Sequence, residues 1–398
     1  MSQRIYGGQI VKVVKQRCQP HFSFFANKSV TIVLFQPPSG LVNEPLLAQY
    51  SAAITSTNQK VLTFNFLSCH VNRVELPANT SARELSEILA DAAADRDSLG
   101  IIVQNPVPKA KLRAEIALIP PQLDIDGINE TSVFQASATS EAISRLVSGF
   151  AQSGDRVAVV GSMGFVGSGV VKLLRSEDLE IIELDKRLGD TDTQIKQGVR
   201  DADLVVTATG KANLIQPDYL KPEHKLVIDA AFIPQSDGTI LGDISKDAYD
   251  IPEYLTPVPG GIGPTQMAVL LERIMKVAQI EIQPWDYHRD IQLPLERERA
   301  ALGNSRYDNY AVNVTASGLA GAKKIAKNAL SDGVESKLVA QMLIDNNPAY
   351  QELVTKSGEK QAQKIIVTKA QAELAVLKKA PSDETKSSKQ NRDRGRSQ

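Results

Sequence analysis

The feature that most constrains the fold is a repeated alternation of short apolar runs with helical segments. Residues 29–35 read SVTIVLF, and two further runs, 61–67 and 100–104, are rich in Val, Ile, Leu and Phe. Such runs are typical of strands buried on both faces, and their alternation with helices is typical of parallel βα units. Residues 1–148 are therefore predicted to form an α/β domain.

A second alternation of the same kind begins near residue 155. Its predicted strands are residues 156–160, 180–184, 203–209 and 225–230. Short helical crossovers between such strands predict a doubly wound, Rossmann-like dinucleotide-binding domain over residues 149–285. The apolar helix at residues 264–280 is expected to complete the first domain.

The near-neutral charge of the chain conceals two regions of opposite sign. Its 398 residues carry 45 Lys and Arg against 46 Asp and Glu, which excludes a uniformly basic nucleic-acid binder. Residues 286–398 alone hold nineteen Lys and Arg against fourteen Asp and Glu, which leaves twenty-six against thirty-two for residues 1–285. The positive region could bind a nucleic acid or an acidic partner. The alternative is a charged helical face that contacts only solvent.

Within this C-terminal region, residues 286–380 are expected to form a helical extension. Val339 and Leu343 are among the apolar residues expected to line one face of a helix there. Residues 381–398 are polar and charged throughout, so we expect them to be disordered.

Cysteine, histidine and hydropathy patterns narrow the remaining classes of protein. Only Cys18 and Cys69 are present, so no disulfide framework is expected, and the four histidines show no ligand spacing, so we assign no metal. The first residues lack the apolar segment of a signal peptide, and no run of about 18 uncharged apolar residues follows. A cytoplasmic protein with no membrane partner is expected.

The turn after the strand at residues 156–160 is rich in glycine. Gly161, Gly164 and Gly167 are spaced as Gly-x-x-Gly-x-x-Gly and precede a predicted helix. This arrangement brings backbone N–H groups and the helix dipole to a pyrophosphate, as in dinucleotide-binding turns. A purely structural glycine turn is the alternative.

The end of the next predicted strand bears on the choice of dinucleotide. Asp185 lies eighteen residues after Gly167, where a carboxylate accepts hydrogen bonds from a ribose 2′-OH and repels a 2′-phosphate. NAD is therefore favoured over NADP. The cations Lys186 and Arg187 follow at once, however, and could pair with a phosphate instead.

Several segments resemble the methylenetetrahydrofolate dehydrogenase/cyclohydrolase family. TPVPGGIGP at residues 256–264 is similar to that family's Pro-Gly-Gly-Val-Gly-Pro signature. The other similar segments, in chain order, are GIIVQNPVP (100–108), LDIDG (123–127), the glycine turn (161–167), ATGK (208–211), VIDAAF (227–232) and LGDI (241–244). The resemblance covers residues 1–280 and does not reach the C-terminal third.

The resemblance implies an NAD(P)-dependent enzyme of one-carbon metabolism that binds a tetrahydrofolate between two domains and forms homodimers. Tyr50 would stack on the substrate, and Gln104 and Asp126 would face its reacting ring as catalytic residues. The residues implied to bind the substrate are Tyr50, Asp126, Pro259, Gly260 and Gly261. The residues implied to bind the cofactor are Gly161, Ser162, Gly164, Gly167, Asp185, Gly210 and Gly263.

One departure from the family bears directly on activity. The family's catalytic segment reads Tyr-x-x-x-Lys, in which the lysine handles the proton of the hydrolysis, and the matching stretch here runs from Tyr50 to Ile54. Because isoleucine transfers no protons, we expect a dehydrogenase that has lost its cyclohydrolase activity. Lys60 lies six residues further along; a role as a stand-in for that lysine is the alternative, and a solvated surface lysine is the favoured interpretation.

Two alternative functions are compatible with the sequence. The chain departs from the family elsewhere too, for example with Thr265 and Gln266 where the family usually has Met-Thr. Such changes are compatible with a non-catalytic folate- or nucleotide-binding module in a regulatory or scaffolding role. A two-domain dehydrogenase of the shikimate type is the other alternative, which the PGGIGP and DIDG segments disfavour.

Overall fold

The computed structural model of the chain describes residues 2–295 and, beyond them, Val339 and Leu343. The chain divides into two compact units, residues 1–295 and 296–398. In the second unit Val339 and Leu343 are helical and buried, at the i, i+4 spacing of one helix face. The rest of the predicted extension from residue 296, the disordered tail and any polyanion-binding surface on them lie outside the described residues.

The first unit alternates strands with helices, as predicted. Its strands are β1 (Gln3–Arg4), β2 (Ser29–Phe35), β3 (His70–Leu76), β4 (Ser98–Val103), β5 (Arg156–Val160), β6 (Glu180–Leu184), β7 (Leu204–Thr207), β8 (Leu226–Asp229), β9 (Ile233–Pro234), β10 (Ile240–Leu241) and β11 (Tyr254–Thr256). Its α-helices are α1 (Gly7–Cys18), α2 (Phe22–Phe25), α3 (Glu44–Phe66), α4 (Ala82–Ala94), α5 (Leu112–Ile116), α6 (Ala138–Phe150), α7 (Phe165–Leu174), α8 (Asp192–Asp201) and α9 (Ile262–Val277).

The first sheet consists of three parallel strands in the order β3-β2-β4. The predicted strand at residues 61–67 is wrong, because these residues largely continue helix α3. The buried residues of α3 recur every three or four positions, which is the helical period; they include Tyr50, Ala53, Thr57, Lys60 and Phe64. The true third strand, β3, reads HVNRVEL and is largely exposed, so its sequence lacks the apolar run of a central strand.

The second sheet has six strands in the order β1-β11-β8-β7-β5-β6, and every pairing in it is parallel. The prediction of a Rossmann-like parallel sheet is confirmed. Strand β1, at the start of the chain, lies at the edge of this sheet beside β11, which the sequence did not indicate. The N-terminal segment therefore forms the edge of this sheet before it continues into α1.

Helix α9 connects the two halves of the first unit. It packs against α1, α3 and α6, and its residues from Met267 to Leu271 are all buried. The start of α1 approaches the turn before α9 so closely that a Cβ on Gly7 would lie 2.3 Å from the carbonyl oxygen of Gly261. This packing fixes the segment TPVPGGIGP relative to the first sheet.

The first unit extends ten residues beyond the boundary expected at residue 285. Trp285, Tyr287 and Ile291 are buried in the main hydrophobic core. The Arg145 guanidinium lies 4.1 Å from the centroid of the Trp285 ring, and Glu272 accepts a hydrogen bond from the Trp285 backbone N–H at 2.6 Å. Aromatic burial thus sets the boundary near residue 295. Within residues 2–295, no helix combines the length and the apolar character needed to cross a membrane.

Candidate active site

Lys60 is the buried centre of the candidate site. Only 1% of its side chain is exposed, and its Nζ donates to Gln104 Oε1 at 2.9 Å and to Asp126 Oδ2 at 2.7 Å. The interpretation of Lys60 as a solvated surface residue is therefore wrong. A buried ammonium is stable only when it is paired and hydrogen-bonded, and both partners are residues that the family resemblance had selected.

Gln104 is held in one orientation by two residues of α3. It follows strand β4, and its Nε2 donates to Thr57 Oγ1 at 3.2 Å while its Oε1 accepts from Lys60. Thr57 and Lys60 lie three residues apart on one face of α3, so the helix presents a hydroxyl and an ammonium to the two ends of the amide. The amide oxygen is thereby fixed towards the ammonium.

Asp126 is positioned by the other aspartate of the LDIDG segment. The Asp124 side chain accepts backbone N–H groups of Gly127 at 3.1 Å, Ile128 at 3.1 Å and Asn129 at 2.9 Å. Gly127 has φ +67°, and a Cβ there would lie 2.3 Å from the carbonyl oxygen of Ala136, so this turn requires glycine. Asp124 therefore shapes the loop, and Asp126 carries the charge that faces Lys60.

The charge state of Asp126 follows from its neighbours. Burial opposes ionisation, but the Lys60 ammonium, with contributions from Arg273 and Gln266, holds the pKa of Asp126 below its ordinary value. Arg273 is itself buried and donates to the carbonyl oxygens of Ile125 at 3.0 Å and Ala136 at 2.7 Å. Arg273 thus holds both ends of the loop that carries Asp126 and adds positive charge behind it.

The position of Lys60 corrects the match to the family's Tyr-x-x-x-Lys segment. Tyr50 precedes Lys60 by ten residues, about 15 Å along a helix axis, and it is buried in the core cluster with Phe35 and Leu85. Ile54 is 41% exposed. Taking Lys60 as the family's lysine places Ser56 where the tyrosine would be, so this chain retains the lysine and lacks the tyrosine. Tyr50 shares its core cluster with Val103, the residue that precedes Gln104, and takes no part in the hydrogen bonds of Lys60 to Gln104 and Asp126.

The PGGIGP loop faces the same part of α3. Gly260 has φ +110°, and a Cβ on the exposed Gly263 would lie 3.6 Å from Oε1 of Gln59, the neighbour of Lys60. The segment before the loop is held at Val258, whose carbonyl oxygen accepts a hydrogen bond from Lys246 Nζ at 2.5 Å. Its predicted substrate residues, Pro259, Gly260 and Gly261, therefore sit on the turn that leads into α9 beside the Lys60 cluster.

The glycine turn after β5 has the close backbone packing expected of a dinucleotide-binding turn. Gly161 has φ +88°, and a Cβ there would lie 2.7 Å from the carbonyl oxygen of Ala208. A Cβ on Gly167 would lie 2.1 Å from the Gly161 carbonyl oxygen. Gly164 is the N-cap of α7 and offers no side-chain cap. The turn therefore leaves the first N–H groups of α7 without a side-chain acceptor and suits a phosphate group.

Two further predicted cofactor residues border this turn. Ser162 is 1% exposed, and its Oγ has no hydrogen-bond partner within the part of the chain that the structure describes. Gly210 has φ +68° and open space around it, and the flanking N–H groups of Thr209 and Lys211 donate to Asp243 at 2.7 and 2.9 Å. The end of β7 is thus anchored by a buried carboxylate that the sequence did not single out.

Asp185 lies at the end of β6, as predicted, but its carboxylate is already engaged. It accepts from the Met163 N–H at 3.1 Å and from Arg187 Nε and Nη2 at 3.0 and 2.8 Å. The Arg187 hydrogen bonds lower the pKa of Asp185 to about 2. The Arg187 side chain is 59% exposed, so a cofactor ribose at this strand end would meet a carboxylate and a guanidinium together.

Three residues of the site escaped the reasoning from sequence. Lys60 could have been found from its place on the buried face of α3, three residues from Thr57 and four from Phe64. Gln266, noted from sequence only as a departure from the family, donates to Asp126 Oδ1 at 3.4 Å, and Arg273 follows it on α9. Their contacts depend on the packing of segments that are distant in sequence. Within residues 2–295 and the two described residues beyond them, no cluster of side chains suited to a metal ion is found.

The first unit is similar in sequence to known folate enzymes. The family described as tetrahydrofolate dehydrogenase/cyclohydrolase, NAD(P)-binding domain, matches residues 137–282. The bifunctional protein FolD of Sorangium cellulosum is 32% identical over 251 residues, which are 60% of this chain and 85% of that protein. The bifunctional protein FolD 1 of Salinispora arenicola is 31% identical over 246 residues, 59% of this chain and 85% of that protein.

A solved structure shares the fold of the first unit. The methylenetetrahydrofolate dehydrogenase-cyclohydrolase (FolD) of Trypanosoma brucei, complexed with NADP and an inhibitor, matches with a TM-score of 0.61 at 23% identity, over 70% of this chain and 97% of that one. Three findings agree with membership of one family: the order and spacing of the matched motifs, the parallel sheets, and the coverage of most of each relative's length. The chain belongs to the methylenetetrahydrofolate dehydrogenase/cyclohydrolase family.

Proposed function

We propose that this chain oxidises methylenetetrahydrofolate with a nicotinamide cofactor and hydrolyses the methenyl product. The observation that carries the proposal is the buried cluster of Lys60, Gln104 and Asp126, which lies beside the PGGIGP loop. The cofactor, when bound at the glycine turn, would accept the hydride. The residues of the cluster would orient the substrate ring, because hydride transfer depends mainly on proximity and orientation.

The hydrolysis is included because the premise for its loss does not hold. That expectation depended on the absence of a lysine, and Lys60 supplies an amine beside Asp126 and Gln104. In the family resemblance this lysine handles the proton when water opens the methenyl ring, and Lys60 would do so here. The missing tyrosine at Ser56 would weaken substrate stacking without removing this proton-handling group.

A kinetic assay tests the two steps separately. Purified chain is mixed with methylenetetrahydrofolate and NAD or NADP, and formation of the reduced cofactor is followed. Hydrolysis of added methenyltetrahydrofolate is measured in a second assay against the uncatalysed rate. Catalysis of both steps is expected. Binding of folate and nucleotide without turnover in either assay would instead indicate the non-catalytic module.

We further propose that NAD is preferred over NADP. Asp185 would accept hydrogen bonds from a ribose 2′-OH, and Ser162 stands where the family often carries an arginine that could meet a 2′-phosphate. Arg187, paired with Asp185, partly neutralises the carboxylate that would repel NADP. We therefore expect kcat/KM to favour NAD, and a preference for NADP would contradict this reasoning.

The assembly and location proposed for the chain follow from its family. A cytoplasmic homodimer formed through the nucleotide-binding domain is the expectation, with no partner assigned to the second unit. Light scattering of the purified chain, at concentrations spanning the micromolar range, measures the oligomeric state. A monomer at all concentrations would contradict the homodimer.

A further inference from the structure

The two carboxylate oxygens of Asp126 are engaged to different degrees. Its Oδ2 accepts from Lys60 Nζ at 2.7 Å, in a pair of which both side chains are nearly buried. Within the part of the chain that the structure describes, its Oδ1 accepts from Gln266 Nε2 at the long distance of 3.4 Å. Because long hydrogen bonds are weak and a carboxylate oxygen accepts more than one, Oδ1 can take a hydrogen bond from a substrate beside this contact more readily than Oδ2 can.

Gln266 occupies a place that suits contact with a ligand. It lies in the first turns of α9, directly after the PGGIGP loop, and is neither fully buried nor fully exposed. Its amide nitrogen faces Asp126. Within the part of the chain that the structure describes, its Oε1 accepts no hydrogen bond. An amide carries its acceptor and its donor on one carbon, so Oε1 lies close to the Asp126 carboxylate.

The family usually has a threonine where this chain has Gln266. A threonine side chain is shorter and carries no amide, so it cannot place a donor and an acceptor at the same distance from the helix. The change therefore alters the chemistry presented beside the Asp126 carboxylate rather than only its packing. It adds a neutral acceptor next to a carboxylate oxygen.

We propose that Gln266 is a specificity-determining residue, which orients Asp126 and presents a second acceptor to the donor edge of the substrate ring. The ring it would recognise carries an amino group next to a ring N–H, as a 2-amino-4-oxo pterin does. One donor would meet Asp126 Oδ1, and the other would meet Gln266 Oε1. The identity of this ring rests on the proposed function.

The coupling between the two residues has a readout that needs no substrate. The Gln266 N–H is one of the contacts that stabilise the Asp126 anion, so its removal should raise the pKa of Asp126. Carbon-13 NMR of the aspartate carboxyls reports this titration in the full chain. Gln266→Met removes both amide functions at similar length, and Gln266→Glu places a second carboxylate against Asp126.

A matched control comes from another glutamine–aspartate contact. Gln197 Nε2 donates to Asp201 Oδ1 at 2.8 Å on the exposed surface of α8. Gln197→Met removes the same chemical contact away from the candidate site. We expect it to change neither the Asp126 titration nor the kinetics.

For Gln266→Met we expect KM for methylenetetrahydrofolate to rise about three- to tenfold with kcat nearly unchanged, the loss of about one weak to moderate hydrogen bond. For Gln266→Glu we expect a larger rise in KM that shrinks at low pH, because protonation of the carboxyl pair relieves the repulsion. Unchanged KM in both variants would overturn the recognition role. An unchanged Asp126 pKa would overturn the orienting role.

The outcome also separates this inference from the proposed function. A wild-type chain that never turns over methylenetetrahydrofolate contradicts the proposed function and the choice of substrate ring. The NMR titration is still decisive in that case: a raised Asp126 pKa in Gln266→Met supports the orienting role, and an unchanged one overturns it.

Discussion

The replacement Lys60→Met tests the centre of the site most severely. The variant keeps the length of the side chain but removes the ammonium that donates to Gln104 at 2.9 Å and to Asp126 at 2.7 Å. Asp126, only 7% exposed, then loses its principal counterion. Removal of one partner from a buried ion pair costs about 3–5 kcal/mol. We expect the free energy of unfolding to fall by this amount in urea titrations at neutral pH.

Two further variants separate the lost charge pair from lost packing. In the double variant Lys60→Met with Asp126→Asn no uncompensated charge is left, so a large part of the lost stability should return. The control Lys28→Met breaks the more exposed pair between Lys28 and Asp97, 2.6 Å apart directly before strands β2 and β4, and should cost less than about 1 kcal/mol.

The same variant should lose hydrolysis more than oxidation. Loss of a positioned acid–base group lowers a rate by about a hundred- to ten-thousandfold, so hydrolysis of methenyltetrahydrofolate by Lys60→Met should approach the uncatalysed rate. Reduction of NAD should fall much less, because hydride transfer requires orientation rather than the lysine. The reasoning is refuted if Lys60→Met is no less stable than Lys28→Met and hydrolyses the substrate at the wild-type rate.

Three other predictions concern the cofactor end, the pH dependence and the C-terminal boundary. Arg187→Ala bares the Asp185 carboxylate and should raise the preference for NAD over NADP about three- to tenfold in kcat/KM, while removal of a surface arginine elsewhere should not. Desolvation lowers the pKa of buried His224 to about 4. Because the histidine of the unfolded chain takes up its proton near pH 6.5, up to about 3 kcal/mol of stability should disappear as the pH falls from 6.5 to 4. The variant His224→Gln should lessen this loss in thermal unfolding scans. Truncation after Leu295 should preserve the melting temperature of the first unit. Truncation after residue 283 removes the buried Trp285 and should lower the free energy of unfolding by about 3 kcal/mol or more. Equal melting temperatures of the two truncated chains would contradict the boundary near residue 295.

The apolar runs allowed the two parallel sheets to be predicted because strands buried on both faces leave a continuous signal in sequence. Strand β3 was missed for the opposite reason: most of its residues are exposed, so polar residues are tolerated and no apolar run forms. Residues 61–67 are apolar because one face of α3 is buried, and a short apolar run does not distinguish a strand from a helix.

The site was predictable only where a residue lies inside a continuous motif. Gln104, Asp126 and the glycine turn were found in this way. Lys60 was missed because the motif was matched at its tyrosine, and this chain has kept the lysine without the tyrosine. Gln266 and Arg187 act through contacts to residues that are distant in sequence or across a turn, and only the folded chain shows these contacts.

The central claim is that one site performs both reactions, with Lys60 handling the proton of the hydrolysis. It is tested most directly by following the reduced cofactor and the methenyl intermediate together, in one reaction of the wild-type chain with methylenetetrahydrofolate and NAD. The claim predicts steady formation of reduced cofactor with little accumulation of the methenyl compound, because hydrolysis removes it. Accumulation of the methenyl compound in equal amount to the reduced cofactor, or no reduced cofactor at all, would contradict it.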